Sequence, residues 1–210
     1  MKQVGITNKF FLLAMLFLPV SLFSQNLDIR ILRSINSPQS LPSDRFFQIV
    51  SNSNIYFVIG IPATMGTIGL IKHDDQLFKN ACVTVAAIAV NSGITVVMKY
   101  SINRERPFKT YPDITRKSAA GSPSFPSGHT SSSFALATSL SLSYPKWYII
   151  VPSFSWAGTV AYSRMDLGVH YPSDVLAGAL VGAGSAWLTY AVNKKLNINS
   201  KKKPCNCPEF

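Results

Sequence analysis

The apolar residues of this chain gather into long uncharged runs rather than alternating or heptad patterns. Five runs follow residue 54, at 55–71, 81–98, 130–144, 147–162 and 175–192. A helix of about eighteen residues covers about 27 Å, close to the ~30 Å of a hydrocarbon core. It also satisfies its own backbone, as a bilayer demands. The runs therefore predict a bundle of membrane-spanning helices, with Pro62 and Pro152 kinking two of them. The hydroxyl-rich "SSSFALATSLSLS" and a mean hydropathy of only +0.20 support a rival reading, a soluble all-helical protein with several buried helices.

The first 25 residues have the layout of a secretory signal peptide or N-terminal anchor: Lys2 and Lys9, then an apolar core over 10–23. Leu22, two places before Ser24, makes a poor cleavage site. Either form exports the residues after it. Residues 26–53 are mixed and polar, an exported amphipathic segment and loop with "SPQSLPSD" as a turn-rich break. Residues 54–193 form the helical bundle, and 194–210 a basic tail. With the start outside, the runs alternate so that "KHDDQLFKN", "PK" and the tail fall inside. The tail carries Lys194, Lys195, Lys201, Lys202 and Lys203, as the positive-inside rule wants. The outside loops are then 99–129 and 163–174.

Charge narrows the partners. Charged residues make up 14% of the chain, against roughly 25% in ordinary soluble domains. The net charge of +11 suits an anionic membrane or anionic substrate. The basic residues form no stripe and no nucleic-acid-binding motif, so nucleic acid is not an expected partner. The three cysteines have no framework spacing. Cys82 reads as a small buried hydrophobe, and Cys205 and Cys207 as part of a reduced tail.

The unusual polar chemistry lies in the two outside loops. In "KYSINRERP", Lys99 ends an apolar run and Arg106 follows seven residues on. Arg104, Lys109, Arg116 and Lys117 read as a juxtamembrane basic cluster. In "PSFPSGHTSSSFALA", a Ser127-Gly128 turn opens a helix, whose free N–H groups and dipole suit a phosphate. His129 beside it can pass a proton. In "SRMDLGVHYPSD", Arg164 can fork two hydrogen bonds onto a phosphate, and His170 is a candidate nucleophile or base. Asp174 can hold the other ring nitrogen of His170. His73 lies in the presumed inner loop and reads as solvated.

These stretches resemble the type 2 phosphatidic acid phosphatase superfamily, which spans lipid phosphate phosphatases, bacterial acid phosphatases and vanadium haloperoxidases. Its pattern is K-x6-RP, PSGH and SR-x5-H-x3-D. Here it reads Lys99–Arg106–Pro107, Pro126–Ser127–Gly128–His129 and Ser163–Arg164–His170–Asp174, complete and in order. The resemblance implies an all-α bundle of about five to six transmembrane helices with the active site at the outer membrane edge. It implies a catalytic set of His170, His129 and Asp174. His170 would attack phosphorus, Asp174 would orient it, and His129 would protonate the leaving oxygen and then activate water. Lys99, Arg106, Ser127, Gly128 and Arg164 would bind the phosphate. It implies no metal and no cofactor, and a lipid phosphate as substrate. The rivals are a soluble periplasmic acid phosphatase, a vanadium haloperoxidase and a non-enzymatic membrane protein.

Overall fold

The computed structural model describes residues 20–39 and 41–201. The predicted export signal falls mostly outside these residues, as do Cys205 and Cys207. Among the described residues the chain is all helix, turn and loop. The helices are α1 (Val20–Ile35), α2 (Pro42–Ile71), α3 (Asp75–Ile102), the single turn α4 (Pro107–Thr110), α5 (Gly128–Ser143), α6 (Trp147–Asp166) and α7 (Pro172–Lys201). Each apolar run is a helix, and Pro62 and Pro152 sit inside α2 and α6.

The helices are longer than the runs. The run at 55–71 is only the later part of α2, which starts at Pro42. Pro42 fits the first helical position, where its missing N–H costs nothing. The Asp44 carboxylate reaches back to the Leu41 N–H at 3.0 Å. The segment 26–53 is therefore helical almost throughout, not a loop. At its other end the bundle also overruns expectation, because α7 continues through Lys194 and Lys195 to Lys201.

The bundle is apolar outside and polar within. Ile49, Ile59, Val97 and Leu180 are exposed, whereas Ser51, Asn54, Thr84, Asn91, Thr95, Ser131 and Ser139 are buried. The buried hydroxyls and amides pair with one another: Thr84 with Ser139 at 2.9 Å, and Thr95 with Ser131 at 3.0 Å. Water is a poor solvent for such a surface and lipid a good one. Among the described residues, three helical stretches, Pro42–Ile71, Asp75–Thr110 and Pro172–Leu196, are long and apolar enough to cross a membrane. The exposed Cys82 corrects its buried reading. The inward stripe of α3 is Ala81, Thr84, Ala87, Asn91, Thr95 and Lys99, and Cys82 falls off it.

Helices α5 and α7 are central and pack closely on each other, with α3 and α6 beside them. Gly178 and Gly182 of α7 make the contact close. A Cβ on Gly178 would lie 2.7 Å from the Ser127 carbonyl oxygen, and one on Gly182 just 2.1 Å from that of Ser131. At one end of the bundle α1 lies across the loops. Its Ile29 and Leu32 pack with Ile114 and Tyr171. Asn36 then stitches that end together, donating to the Asp166 carbonyl at 2.7 Å and accepting from the Thr115 N–H at 2.9 Å.

Candidate active site

The residues singled out by spacing meet at the end of the bundle that α1 covers. They sit on helix ends more than in loops. Lys99 is on the last turn of α3 and Arg164 on the last turn of α6, while Asp174 is on the first turn of α7. Ser127, Gly128 and His129 open α5. Side chains carried on helices are held more precisely than side chains on free loops.

His170 stands at the centre, in the short link between α6 and α7, and is 2% exposed. Its Nδ1 faces Asp174 Oδ2 at 3.6 Å, and its Nε2 faces Arg106 Nη1 at 3.4 Å. A proton on Nδ1 and a lone pair on Nε2 is the tautomer that suits both neighbours. Burial, the leading cause, with Arg106 and Arg164 adding to it, pushes the imidazole down to about 4, against the opposing pull of Asp174. The ring is therefore neutral near pH 7.

Asp174 is wholly buried and heavily held. Its Oδ2 accepts the Ser124 hydroxyl at 2.5 Å and the Tyr171 N–H at 3.0 Å. Its Oδ1 accepts Arg104 Nη1 at 2.6 Å. Its backbone oxygen accepts the Ser127 N–H at 3.0 Å, which ties the start of α7 to the start of α5.

The cations are aimed by backbone carbonyls and a hydroxyl rather than by acids. Lys99 Nζ donates to the Pro123 carbonyl at 2.7 Å. Arg106 donates Nε to the Ser122 carbonyl at 2.7 Å and Nη1 to that of Val169 at 2.8 Å. Arg164 Nη1 bonds the Ser51 hydroxyl, while its buried Nε has no partner within the protein. Neutral acceptors orient these groups without cancelling their charge, which leaves the site positive for an anion. Gly128 lies against Lys99, with 3.8 Å from the place of its Cβ to Lys99 Cε. His129 lies within electrostatic range of Arg164, His170, Arg106 and Lys99, and its backbone is fixed by Asn54 at 3.1 Å. All eight residues thus come together around the start of α5.

Two basic residues depart from the surface-cluster reading. Arg104 bridges Asp174 to Asp28 and lies 3.8 Å over the Tyr171 ring. The Lys117 side chain is largely covered and pairs with Asp44 at 2.9 Å. Lys109 and Arg116 do lie on the surface. The bridging partners Asp28 and Asp44 are far away in sequence, and no local signal connects them to the loop.

A lipid A 4'-phosphatase of Bacteroides thetaiotaomicron is 37% identical over 94 residues, which are 45% of this chain and 42% of that protein. An undecaprenyl-diphosphatase of Sulfolobus acidocaldarius is 36% identical over 97 residues, 46% of this chain and 47% of that one. The chain thus spans about half the length of these curated relatives. The crystal structure of a transmembrane PAP2-type phosphatidylglycerolphosphate phosphatase from Bacillus subtilis superposes with a TM-score of 0.72. That match covers 90% of this chain and 96% of the other at 20% identity, and it establishes the shared fold. The model of the PAP2 superfamily matches residues 80–198, more than half of the sequence and the whole of the constellation around His170, and the chain belongs to that superfamily.

Proposed function

We propose that this protein is a metal-independent membrane phosphatase that hydrolyses a lipid phosphate monoester or diphosphate through a phosphohistidine intermediate. The observation that carries this reading is His170 between Asp174 and Arg106, with its Nε2 lone pair toward the cations and the start of α5. In the first step Nε2 attacks phosphorus and the bond to the leaving oxygen breaks. Burial, with Arg164, His170, Arg106 and Lys99 beside it, pushes the His129 imidazole down to about 3, so His129 takes up a proton only when the negative charge of the bound phosphate offsets those cations, and it then gives that proton to the leaving oxygen. In the second step neutral His129 takes a proton from water, whose oxygen displaces His170 and releases phosphate. Asp174 stabilises the Nδ1–H of His170 as positive charge grows on the ring. Lys99, Arg106 and Arg164, with the Ser127 hydroxyl and the Gly128 N–H, hold the three equatorial oxygens as negative charge spreads over them. These three cations supply the charge that magnesium supplies in other phosphoryl-transfer sites.

The lipid assignment draws on the inverted bundle and on the relatives' lipid A and undecaprenyl diphosphate substrates. The chain then divides into residues 1–25 as export signal or anchor, an amphipathic segment that ends before Pro42, and a bundle that starts with α2 at Pro42 and ends with α7, whose basic end from Lys194 lies on the cytoplasmic side. The site end faces the periplasm from the inner membrane. The test is phosphate release by purified protein in detergent, with phosphatidate, phosphatidylglycerophosphate, a polyprenyl diphosphate and lipid A as substrates and EDTA present throughout. Turnover of at least one is expected. Activity that appears only when magnesium is added, or none on any of the four, overturns the reading.

A further inference from the structure

We propose that Arg104 and Asp28 are positioning residues for the His170–Asp174 pair, so that α1, which precedes the family-matched region, completes the active site. This rests on the phosphatase reading above. The Arg104 guanidinium is shared between two carboxylates, with Nη1 on Asp174 Oδ1 at 2.6 Å and Nη2 on Asp28 Oδ2 at 2.9 Å. Tyr171 supports its flat face at 3.8 Å, a cation–π contact that fixes the plane of the fork. Asp28 lies on α1 and is buried. Its Oδ1 accepts the Ser173 N–H at 2.9 Å, so a residue of α1 caps the first turn of α7 from outside that helix. The Ser173 hydroxyl closes the ring, accepting from Arg104 at 2.7 Å and bonding Asp28 Oδ2.

The charges explain why the bridge matters. Asp174 is wholly buried, and Arg104 is the cation in direct contact with it. A buried carboxylate that loses its countercharge is strongly destabilised and is neutralised by taking up a proton. A protonated Asp174 no longer draws the Nδ1–H of His170, and the Nε2 lone pair is no longer fixed toward phosphorus. With Arg104 removed, Asp28 remains as a second negative charge beside Asp174 and worsens this. With Asp28 removed, Arg104 still serves Asp174 but loses its tie to α1. The two residues therefore act unequally and are coupled.

The test uses full-length protein in detergent with short-chain phosphatidate as substrate. Arg104→Gln should lower kcat about 10- to 100-fold, the range seen when a group that orients a ligating or catalytic residue is lost. KM should change less than about threefold, since the phosphate-binding cations are untouched. Arg104→Lys should recover part of the loss. The double variant Asp28→Asn with Arg104→Gln should exceed Arg104→Gln alone, because the surplus carboxylate is gone. Nitrogen-15 histidine spectra, assigned with His170→Asn, give a readout independent of turnover. Wild type should show the Nδ1–H tautomer at His170, and Arg104→Gln a mixture. An unchanged kcat and tautomer in folded Arg104→Gln would overturn the proposal, as would a double variant no better than the single one. A wild type that hydrolyses no lipid phosphate defeats the phosphatase reading instead, and the tautomer then decides the positioning role alone.

Discussion

At the residue scale, His170 joins stability to chemistry through one property, its burial. The imidazole titrates near pH 4 in the folded protein and near 6.5 in the unfolded chain. Between those values the unfolded chain binds the extra proton, so this residue makes folding stability rise with pH across the window and fall as acid is added. We predict that the melting temperature in detergent drops between pH 6.5 and 4, and that His170→Asn makes this drop smaller. An equal drop in both proteins would mean that the ring is not held neutral. The same substitution should reduce turnover by roughly 10³-fold or more, because a nucleophile has no substitute in its own reaction. Acid-quenched protein should carry phosphohistidine in wild type and none in the variant. A variant retaining a tenth of wild-type activity would remove His170 from the nucleophile's role. For Arg106, whose Nη1 lies 3.4 Å from His170 Nε2 and which is proposed to hold the phosphate, Arg106→Ala should cost about 10²- to 10³-fold in kcat.

At the element scale, the seam between α5 and α7 sets where the Ser127–Gly128 turn, proposed to bind phosphate, sits. Gly182 and Gly184 make a matched pair on one helix. A Cβ at Gly182 would meet the Ser131 carbonyl oxygen at 2.1 Å and the Ala135 nitrogen at 2.9 Å, whereas one at Gly184 meets nothing within 4 Å. Gly182→Ala should therefore push α5 away, cost about 1–3 kcal/mol and lower kcat at least tenfold, measured beside the melting temperature. Gly184→Ala should leave both unchanged or raise stability slightly, since alanine is the better helix former. Equal effects at the two positions would show that the seam does not place the site. This scale also shows what the sequence made legible. The cores of the helices were plain because lipid-facing positions are apolar. Their site ends were hidden because there the inward face is polar. Ser51 and Asn54 of α2 bond Arg164 and the His129 carbonyl, and so look like loop residues in a hydropathy pattern. The motif residues were legible because their spacing is local. The Arg104–Asp28 and Lys117–Asp44 bridges were not, since each closes over more than seventy residues of intervening chain.

At the scale of the whole molecule, every helix of the bundle has its site end on one side. Pro42 begins α2 there, Ile102 ends α3, Gly128 begins α5, Asp166 ends α6 and Pro172 begins α7. The opposite side carries the turns at 72–74 and 144–146 and the far end of α7, with Lys72, Lys146, Lys194 and Lys195 among them. The export signal expected at the start is the reason to propose the far side as cytoplasmic and the site as outward-facing; basic charge does not decide it, since the site side carries Arg104, Lys109, Arg116 and Lys117. A phosphatase so placed would act on lipid headgroups in the outer leaflet and release phosphate away from the cytoplasm. The arrangement is tested in a background with Cys82, Cys205 and Cys207 replaced by serine. One new cysteine is then introduced, either Ala119→Cys in the exposed loop beside the site or Lys195→Cys on the exposed far end of α7. In intact cells whose outer membrane has been permeabilised, a membrane-impermeant maleimide should label position 119 and leave position 195 unlabelled until lysis. Labelling at 195 with protection at 119 would reverse the orientation. Labelling of both without lysis would mean that the bundle does not span the membrane, and its apolar exterior would then have to be covered by something other than lipid.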